Sequence, residues 1–226
     1  MTSKYQAEKE AVLGTSIEMA RKGLVVGSAG NVSMRLGANL LAITPSRKQY
    51  DSLTAEDIQI IDFEGEPIEG ELVPSVETMM HVYAYRARPD INAVVHTHSV
   101  FASALAVAHM PLPPILDELI ASIGGEVRVT DYAFPSTEEL AQHAAAALAE
   151  RNAALLANHG AVGIGATLQD ALAVCELVEH AAHIYVLARS LGHVHPLPPD
   201  IVALEQDLWR MALKCTHGCA PNRRKW

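Results

Sequence analysis

The 226-residue chain sets 17 Lys and Arg against 26 Asp and Glu, a formal net charge of -9 with a sequence pI near 5.6, which excludes a broad electrostatic footprint for nucleic acid. Half of its residues are hydrophobic and 5% aromatic, enough for a full core and too apolar for a disordered chain. Three cysteines argue for a reducing compartment, and the N-terminal residues lack the apolar core of a signal peptide; no membrane-spanning run of about 18 apolar residues is evident, so a cytoplasmic protein with no membrane partner is expected.

In chain order, residues 5–22 read as a helix ended by Gly23, because glycine readily takes the left-handed conformation that terminates helices. Short strands are expected at 31–36, 40–44 and 58–62, separated by Gly37, Pro45 and the acidic turn at 63–66. A helix fits 76–88, stopped by Pro89, and 93–97 is a strand. Helices are expected from Ser99 and over 116–123, and 127–130 is strand-like. Ser136-Thr137-Glu138-Glu139 has the pattern of a capping box opening a helix to about residue 150, and 153–157 is an apolar strand. Thr167-Leu168-Gln169-Asp170 is a second capping box, at the head of a long helix closed by Gly192. A Pro-rich connector, 196–199, precedes one last helix. Residues 1–213 thus form one α/β domain with a central mixed or antiparallel sheet covered by helices, and 214–226 form a C-terminal tail.

His96-Thr97-His98 carries the first chemical signal. Alternate residues of a strand share a face, so two imidazoles at its end converge on one ion, and the apolar run Ala93-Val94-Val95 delivers them there. Asn158-His159-Gly160 repeats the arrangement after another apolar strand. Spacing alone leaves two readings: three buried histidines bonded within the core, or a three-imidazole shell with an open position for water or substrate. Glu77, beside Pro74 and Ser75 at a helix start, is a cap on the plain reading; next to a cation it is a fourth ligand or a general base. Gly30-Asn31-Val32-Ser33 and Thr44-Pro45-Ser46-Arg47 are turn segments whose small polar groups suit an anion. His193 and His195, and the pair His180 and His183, read as surface, and Cys215, His217 and Cys219 are a weak metal motif near the tail.

Taken in order, Gly30-Asn31-Val32-Ser33, Thr44-Pro45-Ser46, Pro74-Ser75-Val76-Glu77, His96-Thr97-His98 and Asn158-His159-Gly160 resemble the class II aldolase and adducin head-domain family over about residues 10–191. The resemblance implies a three-layer fold with a nine-stranded or similar sheet, and a homotetramer with active sites at subunit contacts. It implies one divalent cation per subunit, usually zinc with manganese, cobalt or iron as alternatives, on His96, His98 and His159, with Glu77 exchanging between ligand and acid/base roles. It also implies retro-aldol cleavage of a sugar-phosphate-like small molecule through a metal-stabilised enediolate. Gly30, Asn31, Thr44, Ser46, Arg47 and Ser75 fall at the family's substrate pocket.

Three departures bear on the reaction. Arg47 stands where the aldolases favour glycine, and Val76 where they favour a second serine. Asp117-Glu118 occupies the region of their tyrosine proton donor, which makes Glu118 the candidate acid or base. Decarboxylation, dehydration or epimerisation on the same metal-stabilised enolate is the alternative these changes favour. A non-catalytic adducin-like interaction module is the third reading, against which the intact histidine set speaks.

Overall fold

In the computed structural model, which describes residues 3–216, the chain runs α1 (Gln6–Arg21), β1 (Asn31–Leu36), β2 (Leu40–Ile43), β3 (Gln59–Asp62), β4 (Pro67–Glu69), α2 (Thr78–Ala87), β5 (Ala93–Thr97), α3 (Val100–Val107), α4 (Asp117–Ile123), β6 (Arg128–Val129), α5 (Glu138–Leu148), β7 (Ala153–Leu156), β8 (Gly160–Gly165), α6 (Leu168–Leu191) and α7 (Pro199–Thr216). The eight strands form one sheet in the order β4-β3-β2-β1-β5-β8-β7-β6, antiparallel except for the β6–β7 pair. The expected mixed sheet is therefore present, with eight strands among the described residues where the resemblance suggested about nine.

Strand alternation decides what each face receives. Ala93 and Val95 of β5 join Val32 of β1 in a core completed by Val12 and Met19 of α1 and Leu172 and Cys175 of α6. Val94 points the other way, into the core that α2 and α5 build with Met80, Tyr85, Leu140 and Ala144. His96, two residues further, shares that second face. A third core lies under α3, α4 and α6. By length and composition α6 could cross a membrane, yet Ala171, Cys175, Val178 and Ala182 are buried against the fold.

β4 and β8 were not expected. The 136–139 capping box is absent: Thr137 alone caps α5, its hydroxyl accepting from Leu140 N, while Ser136 sits at φ 69° and forms the turn before it. The last helix runs on to Thr216, past the expected tail boundary, and Cys219 with the rest of 217–226 lies outside the described residues. The Thr167–Asp170 capping box is formed, with both reciprocal bonds present, an arrangement worth about 1 kcal/mol.

Candidate metal centre

The end of β5 is where the site assembles. Asn31 of β1 pairs with His96, and His96 pairs on its other side with Val162 of β8. β7 and β8 are joined by a three-residue loop whose middle residue, Asn158, takes the left-handed conformation (φ 55°), the usual device for so tight a connection. That turn places His159 beside His96 of β5 and His98 just past the strand's end. Gly30, with φ 74°, passes so close that a Cβ there would lie 2.5 Å from the His96 carbonyl oxygen; its lack of a side chain is a packing requirement of β5.

The three imidazoles form a nearly equilateral, edge-to-face triangle with ring centroids 4.7, 4.8 and 4.9 Å apart. Their ligating nitrogens lie within 4.8 Å of one another. His96 Nδ1 donates to Ala161 O at 2.9 Å, which fixes the tautomer and leaves Nε2 with its lone pair directed into the triangle, 2.9 Å from His98 Nε2. The Glu77 carboxylate closes the fourth side, Oε2 at 3.3 Å from His96 Nε2 and Oε1 at 3.2 Å from His159 Nε2. Glu77 Oε1 is buried and accepts no hydrogen bond of proper geometry. Glu77 is the N-cap residue of α2 by position, yet its side chain caps nothing, so the plain capping reading fails. Three imidazole nitrogens and an unsatisfied buried carboxylate oxygen are a donor set that fits a tetrahedral divalent cation with one exchangeable position.

Burial dominates the titration here. It pushes His96 down to about 4, against the opposing pull of Glu77, and lowers His98 with help from His159. Both imidazoles are thereby kept neutral and ready to donate a lone pair near neutral pH. Burial opposes ionisation of Glu77, but His96, His159 and the Asn31 amide together hold its carboxyl below the ordinary range.

The other sequence candidates separate by position. Asn31 Nδ2 donates to Glu77 Oε2 at 2.8 Å. Ser75 Oγ accepts from Glu77 N, and Ser75 N donates to Thr44 O. Ser46 N donates to Val73 O, and Pro45 bridges Pro74, so the turns at 44–47 and 73–77 are zipped together beside Glu77. Thr44 is buried and its hydroxyl accepts from Val32 N, which makes it a clamp between strands. Arg47 is exposed with φ 59°, so the family's glycine preference at this position follows from the backbone. Glu118 is exposed on the first turn of α4, and among the described residues no hydrogen bond, ion pair or ring contact joins it to the histidines. Within one chain the two are not brought together, because α4 buries Leu119, Ile120 and Ile123 and turns its acidic edge outward.

His81 and Tyr85 lie outside the residues singled out from the sequence, and Ser33, expected in a polar turn, sits on β1 facing α2. His81 is fully buried with Nε2 2.6 Å from Asn31 Oδ1 and Nδ1 2.7 Å from Ser33 Oγ, and burial pushes its pKa to about 3. Ser33 Oγ lies 2.8 Å from the Tyr85 hydroxyl. The available signal was spacing: Glu77 at the N-cap of α2 and His81 and Tyr85 within it recur every fourth residue, and Asn31 and Ser33 alternate along β1.

Residues 10–186 match the Class II Aldolase and Adducin N-terminal domain. The chain is 39% identical over 196 residues to a 5-deoxy-D-ribulose 1-phosphate aldolase of Bacillus thuringiensis serovar kurstaki, covering 86% of this chain and 92% of that one. It is 39% identical over 189 residues to the L-fuculose phosphate aldolase of Escherichia coli strain K12, covering 84% and 87%. An L-fuculose 1-phosphate aldolase structure superposes with a TM-score of 0.86 at 36% identity, covering 93% of this chain and 98% of its own. The crystal structure of YgbL from Escherichia coli, titled a putative aldolase/epimerase/decarboxylase, does so at 0.81 and 28% identity, covering 90% and 100%.

Proposed function

Since the chain belongs to the class II aldolase and adducin N-terminal domain family and is a metal-dependent lyase, we propose that it cleaves a ketose 1-phosphate by a retro-aldol reaction at the centre formed by His96, His98, His159 and Glu77. The observation that carries this reading is the convergence of three imidazole nitrogens within 4.8 Å around the buried carboxylate of Glu77. Zinc is the cation this donor set suits best, with three imidazoles as permanent ligands. A cation bound there supplies positive charge against the negative charge that develops on the substrate oxygens as the carbon–carbon bond breaks.

Glu77 is the acid/base. Its carboxylate has one oxygen held by Asn31 and the other unbonded, so the free oxygen is available to take or return a proton of a substrate hydroxyl. Asn31, Ser46, Ser75 and Arg47 form the anion subsite: the zipped turns present small donors, and the exposed guanidinium of Arg47 adds a bidentate partner for phosphate. Glu118 serves as the second proton carrier only from a neighbouring copy, consistent with a homotetramer whose sites lie at subunit contacts. A cytoplasmic location completes the reading.

The test is metal content by elemental mass spectrometry on protein purified without a metal-affinity tag, with an assay of dihydroxyacetone phosphate release from a panel of ketose 1-phosphates. About one divalent ion per chain with release is the expected result. His96→Ala should abolish metal binding and release together, and Glu77→Gln should retain metal but lose turnover. A fully active, metal-free His96→Ala protein refutes the site. Metal without release from any ketose 1-phosphate moves the reaction to decarboxylation, dehydration or epimerisation, which the Arg47 and Glu118 departures favour.

A further inference from the structure

Behind Glu77, a line of polar side chains runs away from the metal centre into the core between α2 and the sheet. Asn31, His81, Ser33 and Tyr85 are all buried, between 0% and 4% exposed, in a region otherwise built from Met80, Val82, Val94 and Leu41. Buried polar groups at such depth are tolerated only when satisfied, and each of these is joined to the next at 2.6 to 2.8 Å.

The direction of every bond follows from one end. An ionised carboxylate only accepts, so Asn31 must turn its NH2 toward Glu77 Oε2, and its Oδ1 then faces His81 Nε2. His81 Nε2 must carry the proton, and in a neutral ring Nδ1 is then an acceptor. Ser33 therefore donates to Nδ1, which leaves its oxygen to accept from the Tyr85 hydroxyl. The competing acceptor for that hydroxyl, Asn92 O, is 3.5 Å away. Tyr85 is in turn held in place: its ring is stacked on Phe63 and lies beneath the Arg35 guanidinium, which also donates to the Tyr85 carbonyl.

We propose that Tyr85, Ser33 and His81 are positioning residues forming a one-way hydrogen-bond chain that locks the Asn31 amide with its NH2 on Glu77, fixing which carboxylate oxygen is held and which is free to act. Without His81 as an Nε2–H donor, the Asn31 amide can rotate by half a turn and present Oδ1 to the carboxylate. That orientation repels the charged form and releases the oxygen that the chain had fixed. The proposal rests on Glu77 acting at the metal centre as described above.

Four variants and one spectrum test it. Outer-shell partners of metal-site residues typically account for 10- to 100-fold in activity or metal affinity. His81→Asn, whose amide can stand in for Nδ1 but cannot reach Asn31, should lower kcat by roughly that factor with KM nearly unchanged. His81→Gln, whose amide nitrogen reaches where Nε2 lies, should recover most of the loss. Ser33→Ala and Tyr85→Phe remove successively more distant links, so their effects should grade downward, on the order of 10-fold and then a few-fold. Zinc dissociation, followed by competition with a chromophoric chelator, should quicken in the same order. A long-range 1H–15N spectrum of the metal-free wild-type protein should show His81 as the Nε2–H tautomer.

The Nδ1–H tautomer overturns the chain. So do Ser33→Ala and Tyr85→Phe proteins that melt normally with wild-type kcat and zinc release while Glu77→Gln is crippled. A role confined to folding lowers Tm in all four variants without separating His81→Gln from His81→Asn, and that result also overturns it. A fully active Glu77→Gln protein sinks the function of Glu77 itself, and is thereby distinguished from failure of the chain alone.

Discussion

Gly30→Ala is the sharpest structural test of the metal centre, because the new methyl group meets the backbone of a proposed ligand. Its Cβ would lie 2.5 Å from the carbonyl oxygen of His96 and 2.7 Å from Val25 Cγ1. An unstrained carbon–oxygen approach is about 3.3 Å, so β5 or the 29–31 turn must yield by roughly 0.8 Å. Two costs add. Placing alanine at φ 74° costs about 1 kcal/mol, and overpacking a fitted contact costs about 1–3 kcal/mol more. Gly37→Ala isolates the first cost, since Gly37 has φ 66° with nothing within 4 Å of its would-be Cβ. Gly163→Ala isolates overpacking away from the histidines, its Cβ meeting Cys175 Sγ at 2.6 Å on the α6 side. Differential scanning calorimetry, zinc stoichiometry and kcat/KM on all three should separate the effects. Gly37→Ala and Gly163→Ala should lose Tm but keep metal and activity per folded molecule. Gly30→Ala should lose Tm and also on the order of 100-fold in kcat/KM, because a displacement near 1 Å suffices for that. Wild-type zinc content and activity in Gly30→Ala would refute the account of how β1 and β5 hold the site.

His81 and His96 are held in the folded state at about 3 and about 4, below the roughly 6.5 of an unfolded histidine. As pH falls, the unfolded chain takes up these protons first; the metal-free protein should thus be most stable above pH 6.5 and lose stability steadily toward pH 4, with about two extra protons bound on unfolding, and urea titrations showing no slope there would contradict this. Arg47→Gly relieves a left-handed arginine, so Tm should rise by about 2–4 °C, while KM for a phosphorylated ketose should rise roughly 10-fold if the guanidinium holds the anion. Arg88→Ala removes a buried guanidinium that donates to Leu148 O, Arg151 O, Asn152 Oδ1 and Asp90; thermal unfolding should show a loss of roughly 3 kcal/mol with no change in kcat for the folded fraction.

The elements that announced themselves in the sequence were those with a one-sided environment. α2, α5 and α6 were placed within a few residues, and the strands at 31–36, 40–44 and 93–97 nearly so. β8 carries no legible strand signal, because Gly-Ala-Val-Gly-Ile-Gly is glycine-rich and buried on both faces, so it shows no alternation. The reason for its glycines is tertiary: a Cβ at Gly163 or Gly165 would strike α6. β4 begins at a proline and lies exposed on the sheet edge, which removes both the ladder donor and the apolar pattern that mark a strand.

The candidate metal ligands were legible because His96 lies near the end of an apolar strand with His98 just past it, and His159 follows another apolar run, so local periodicity predicts their convergence. The chain behind Glu77 was not, because its links join residues 46 to 52 positions apart, and neither half taken alone shows which polar groups of the other it meets. A buried polar stripe on a helix is costly unless a second stripe answers it. Glu77, His81 and Tyr85 therefore imply that some strand offers alternating polar residues toward α2, and β1, with Asn31 and Ser33 on the face opposite Val32, meets that demand. The same reasoning explains why α2 sits where it does: four hydrogen bonds fix its rotation against the sheet, and that rotation carries Glu77 to the histidines.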